Sequence, residues 1–118
     1  MLTVYGIPNC DTIVKTLKWL NKNKIAYQFH NYKTDGIDTK TLEHWCQQKD
    51  WTVLLNKRST TWKTLNVATQ NKITNVTEAV KLMLQNNSII KRPIITNNKT
   101  IVAVGFDENL LKELKPFK

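Results

Sequence analysis

Cysteine is scarce in this chain of 118 residues: Cys10 and Cys46 are the only two, and they stand far apart in sequence. A disulfide framework is therefore not expected, and the thiols point to a reducing compartment. No run resembling a signal peptide precedes the first strand-like segment, so a cytoplasmic location is expected. Long apolar runs are missing too, none approaching the roughly 20 residues that cross a bilayer, and no membrane partner is expected. His30 and His44 fall in different elements and neither stands at zinc spacing from a cysteine, so no metal site is expected. Acidic residues are the other shortage, 9 against 18 basic ones, for a formal charge of +9. Such a balance invites a nucleic-acid reading, because a basic face releases counterions when it meets a phosphate backbone. The lysines, however, are spread from Lys15, Lys18, Lys22 and Lys24 through Lys33, Lys40, Lys49 and onward. They form no dense tract and no aromatic-rich RNA-binding motif accompanies them, so nucleic acid is not the expected partner. Arginine is rarer still, Arg58 and Arg92 being the only two. Where lysine is the default cation, an arginine marks a place that needs a planar fork, as for a bound oxyanion or carboxylate.

What is present reads as one α/β domain over residues 1–118, long enough to remove about two-thirds of its unfolded surface from water. Leu2 to Tyr5 has the pattern of a short buried strand, stopped by the turn residues in Gly6-Ile7-Pro8-Asn9. From Asp11 to Asn23 the period changes: Ile13, Leu17 and Leu20 recur at helical spacing, with Val14 beside them and lysines opposite. Ile25, Tyr27 and Phe29 then alternate with polar residues as a second strand. Strand, helix and strand in so short a stretch make a βαβ unit, whose first two strands are parallel.

A helical insertion is expected over about residues 38–86. Asp38 caps a helix carrying Leu42, Trp45 and Cys46; single turns follow at Trp51 to Leu55 and Ser59 to Leu65, then the polar stretch Asn71 to Asn75 and a longer helix over Val76 to Leu84. The tryptophans Trp19, Trp45, Trp51 and Trp62 read as helix-packing residues. Ile89 to Ile95 opens a strand at a proline, Asn97-Asn98 turns it, and Thr100 to Val104 returns as its hairpin partner. Asp107 caps a closing helix through Leu110, Leu111 and Leu114. The predicted architecture is a mixed sheet of about four strands covered by helices.

Chemistry points to Cys10. It follows a strand and a tight turn and stands at the positive end of the first helix, where unpaired backbone N–H groups favour a thiolate. Asp11 opposes that effect and Lys15 assists it. A dithiol oxidoreductase carries its resolving cysteine three residues later, and that position is Ile13. Cys10 must then be resolved by another molecule, which makes glutathione, or a redoxin such as glutaredoxin, part of the expectation. Cys46 shares an apolar helix face with Leu42 and is expected in the core. Gly6 is expected to serve a turn position that needs positive φ.

At Tyr5-Gly6-Ile7-Pro8-Asn9-Cys10-Asp11-Thr12, at Asn56-Lys57-Arg58-Ser59-Thr60-Thr61-Trp62 and at Lys91-Arg92-Pro93-Ile94 the chain resembles the arsenate reductase (ArsC) family, most closely its YffB-like branch. The resemblance implies a thioredoxin-like fold with Cys10 as nucleophile, and a site built from Asn9, Thr12, Arg58, Arg92 and Pro93. It implies that Pro93 is the cis-proline facing the nucleophile and that Arg92 holds an anion beside it, with Arg58 as a second charge. Glutathione-coupled arsenate reductases carry two further anion-binding arginines, at whose positions this chain has Asn56 and Gly105. The expected activity is therefore a glutathione-dependent monothiol exchange, with glutathione as cosubstrate, no tightly bound cofactor and a monomeric enzyme; a true arsenate reductase is an alternative. Spx-type transcriptional regulators share this fold but usually carry a Cys-x-x-Cys switch, where this chain has Ile13. A regulator of that kind, docking on RNA polymerase, is the other alternative.

Overall fold

The computed structural model describes residues 1–112, with Leu110 described by its backbone only. Along the chain the elements run β1 (Leu2–Gly6), α1 (Asp11–Lys22), β2 (Tyr27–Asn31), α2 (Tyr32–Asp35), α3 (Thr39–Gln48), α4 (Trp51–Leu54), α5 (Thr60–Thr64), α6 (Val67–Lys72), α7 (Val76–Gln85), a 3-10 turn (Asn87–Ile89), β3 (Ile94–Asn97), β4 (Thr100–Val104) and α8 (Glu108–Lys112). They fall into two compact units, one made of Met1–Asp35 and the chain from Arg92 onward, the other of Gly36–Lys91.

The first unit holds a mixed four-stranded sheet in the order β2-β1-β3-β4. β1 pairs parallel with β2, Val4 opposite Phe29, and antiparallel with β3, Val4 opposite Ile95. β3 and β4 form the hairpin, its register shifting between Ile95 and Thr96. Alternation along β1 sends Leu2 and Val4 to one face, where they join Ile13 and Leu20 of α1, Ile25, Ile95, Ala103 and Leu111 in one core. Each such side chain fully buried contributes roughly 1.5–3 kcal/mol, so this face fixes where α1 lies on the sheet.

The end of α1 is closed by backbone. Lys24 N–H donates to Asn21 O at 3.1 Å and Ile25 N–H to Leu20 O at 3.0 Å, the paired bonds of a Schellman turn, with Lys24 at φ 56°. Asp107 Oδ1 accepts from Asn109 N–H at 2.9 Å at the start of α8, as expected for its cap. Leu111 is buried, while Leu114, the expected continuation of that helix, lies outside the described residues.

In the second unit Asp38, Asp50, Ser59, Asn66 and Asn75 each accept at the start of a helix, α3 through α7 in turn. Its core gathers Leu42, Trp45, Leu54, Leu55, Trp62 and Met83, among others. α7 packs against α3, α4 and the 3-10 turn, and Thr61 Oγ1 meets Ser88 Oγ at 2.7 Å.

Four local expectations are corrected. The strand expected from Ile89 to Ile95 begins only at Ile94. Ile89 and Ile90 instead close short turns onto Asn86 O and Asn87 O, Ile90 forms an isolated bridge with Leu55, and Pro93 has no N–H to give a ladder. The helix α6 was not expected, because none of its residues is buried and no apolar period marks it. The one-turn helix α2 is too short to show a period. Gly6 does not adopt positive φ, which among the glycines belongs to Gly36 and Gly105; it is the buried last residue of β1.

Candidate active site

β1 runs into the turn Ile7–Asn9 and delivers Cys10 to the start of α1, where it is the N-cap residue in an extended conformation. Its carbonyl accepts the first helical bond from Val14 N–H at 3.0 Å, while its side chain makes no cap bond. The half-buried sulfur stands at the first turn of α1, near the backbone N–H groups of Thr12 and Ile13 and near the Arg92 side chain. Burial opposes ionisation, but the Ile13 amide, then the Arg92 bond, the Thr12 amide and the Arg92 charge outweigh it and hold the thiol below its ordinary range. The site thus has the donors a thiolate needs, aimed at the place where the charge resides.

Arg92 stands immediately before β3, the antiparallel neighbour of β1, at the end of the sheet where β1 delivers Cys10. The Arg92–Pro93 peptide is cis, as the resemblance implied, and Pro93 O accepts from Gly105 N–H at 2.7 Å. Gly105 stands at φ 80°, where an arginine would be strained, so the hairpin end supplies backbone there and no second guanidinium.

Beside this site an aromatic cluster closes the ends of β1 and β2. Tyr5 and His30 are register partners with ring centroids 4.7 Å apart, and Tyr32 lies 6.2 Å from each. Tyr32 is completely buried; burial and then Tyr5 push its phenol well above the ordinary range, with the Arg92 charge opposing them.

Of the residues expected at the site, the first unit brings Cys10, Thr12 and Arg92 together, Thr12 through its amide, with Pro93 next to Arg92 in the chain. Asn9 is exposed in the turn. Arg58 belongs to the second unit, exposed ahead of α5, its N–H donating to Asn56 Oδ1 at 3.0 Å. The Ile13 amide was not foreseen, since every residue but proline has one and only the helix geometry selects it. Nor was Tyr32, which carries no sequence signal of its own.

Cys46 departs from its expected place. Trp45 takes the core position, 1% exposed, and Cys46 is half-exposed on a cleft of about 650 Å³ shared with Glu43, Asp50, Trp51 and Val80. The one-residue difference turns the thiol by about 100° round the helix. Burial, then Asp50 and Glu43, raise its pKa. Among the described residues no group of three or more His, Cys, Asp or Glu side chains could hold a metal ion, and no helix is long and apolar enough to cross a membrane.

Comparison with known proteins gives a consistent result. The model of the ArsC family matches residues 5–114. An uncharacterized protein of Haemophilus influenzae is 44% identical over 108 residues, covering 92% of this chain and 93% of that protein. The solved structure of a YFFB protein superposes with a TM-score of 0.90 at 36% identity, covering 96% of this chain and 97% of that one. The global transcriptional regulator Spx of Streptococcus pneumoniae is 28% identical over 118 residues, covering 98% of this chain and 86% of the regulator.

Proposed function

The chain belongs to the ArsC family, and from that premise we propose that it is a glutathione-dependent monothiol oxidoreductase with Cys10 as its nucleophile. The observation that carries this reading is the place of the Cys10 sulfur, at the N-terminus of α1 with the Thr12 and Ile13 amides and the Arg92 side chain near it. The Cys10 thiolate attacks the glutathione sulfur of a mixed disulfide R–S–S–G, forming Cys10–S–S–G and expelling R–S⁻, which takes a proton. The thiolate of a second glutathione then attacks the glutathione sulfur on Cys10. That step forms oxidised glutathione and returns the Cys10 thiolate, so the substrate disulfide is reduced at the expense of one glutathione thiol.

With Ile13 where a dithiol enzyme has its second cysteine, resolution has to come from outside. Arg92 can fork onto a glutathione carboxylate while its charge supports the thiolate, and the backbone at Pro93 offers the neighbouring contacts. Arsenate is the poorer substrate: an oxyanion needs several converging donors in a dry site, and Asn56 and Gly105 stand where two further arginines would be required.

Intact mass after exposure to oxidised glutathione tests the reading. One glutathione is expected on the native chain and on Cys46→Ala, none on Cys10→Ser, and addition of reduced glutathione is expected to remove it. Arsenite release beside an authentic arsenate reductase is expected to be weak or absent. A folded native chain that takes no adduct, or takes it only at Cys46, overturns the proposal, and robust arsenite release reassigns the substrate. The likeness to Spx favours one second reading, a regulator that docks on RNA polymerase and uses Cys10 as a sensor. Stoichiometric recovery of polymerase in a pull-down from cell extract supports that reading.

A further inference from the structure

The absent side chain of Gly6 bears on the thiol. A Cβ built on Gly6 would clash with Cδ1 of Ile13, would stand 2.9 Å from Ile13 Cγ1 and would meet Arg92 Cβ at an ordinary contact distance of 3.6 Å. Neither Ile13 neighbour can simply give way, because Ile13 is completely buried in the core that holds α1 to the sheet. Ile13 is also the third residue of α1, whose first turn starts at Cys10, so its amide is one of those near the sulfur. Gly6 needs no glycine for its own backbone, whose φ is not positive, so conformational freedom does not account for the residue.

We propose that Gly6 is a positioning residue for Cys10: the space left by its missing side chain seats Ile13, which keeps the Ile13 amide aimed at the sulfur. The proposal rests on the reading of Cys10 as a thiolate nucleophile. Ile13 sits in the first turn of α1, so a displacement that shifts its backbone shifts its amide, and a hydrogen bond to a charged acceptor weakens steeply with distance and angle. A methyl on Gly6 acts on Cys10 by this route without touching it.

The test reads the pH profile of Cys10 alkylation by iodoacetamide, with Cys10 and Cys46 resolved by peptide mass. In Gly6→Ala the midpoint is expected to rise by about one pH unit, up to a tenfold loss of thiolate at neutral pH. Ile13→Ala removes the obstructing atoms and keeps the amide, so the double variant Gly6→Ala/Ile13→Ala is expected to return to the native midpoint. Leu20→Ala, which opens the same core away from the sulfur, is expected to lower stability and leave the midpoint in place. A folded Gly6→Ala with the native midpoint overturns the proposal. So does a double variant that titrates high, or an equal rise in Leu20→Ala. If Gly6→Ala does not fold, the double variant decides: native titration supports the proposal, and failure to fold or a raised midpoint overturns it. The readout involves no glutathione. Failure of the proposed function appears in the native chain as a missing adduct, whereas failure of this inference appears only in the comparison of variants.

Discussion

Arg92 does two things for Cys10: its charge favours the anionic sulfur, and its side chain donates a directed hydrogen bond. A lysine keeps the first and loses the planar fork that would also hold a carboxylate. Arg92→Lys is therefore expected to slow glutathione adduct formation by about tenfold while lowering Cys10 alkylation by a small uncharged reagent much less. Equal losses with both reagents would show that Arg92 serves the thiolate alone. At this scale Cys10 was legible without any relative, because a strand, a tight turn and a helix start leave one residue facing unpaired amides. Arg92 and Pro93 came only through the family motif, since nothing local ties position 92 to position 10 before the sheet order is known. Cys46 was misread because Trp45 and Cys46 both fit an apolar face at spacing three or four from Leu42, and the larger residue won the interior.

Among the elements, α1 carries most of the site and its ending is under avoidable strain. Lys24 occupies the left-handed position of the closing turn, a conformation that costs a residue with a Cβ roughly 1 kcal/mol. Lys24→Gly is expected to raise stability by about 0.5–1 kcal/mol, read as an increased denaturant midpoint with an unchanged slope, and to leave Cys10 reactivity alone. A loss of stability would mean that the entropy of the unfolded glycine outweighs the relieved strain. The long amphipathic elements were readable because burial imposes a period on them. Where burial is absent, as along α6, or where turns and a proline interrupt an apolar run, as from Ile89 to Pro93, pattern and structure part company.

For the molecule as a whole, the excess of positive charge sits on exposed lysines such as Lys15, Lys18, Lys22 and Lys24, which is a solubility property rather than a fold property. The βαβ start and the hairpin end of the chain meet in one sheet, and β1, paired on both sides, brings position 10 and position 92 to the same place. That long-range pairing is the part a single sequence conceals, because strand order is written in no local pattern. On the proposed function, this meeting makes Cys10 the reactive thiol. Labelling both cysteines with iodoacetamide across a pH series, in one sample of the native chain, tests it most directly. The thiolate is the reacting form, so a lowered pKa means more nucleophile near neutrality and a raised one less. Cys10 is predicted to titrate below the ordinary thiol range, Cys46 above it, and Cys10 to label several-fold faster near pH 7. Equal rates, or a faster Cys46, would contradict the account.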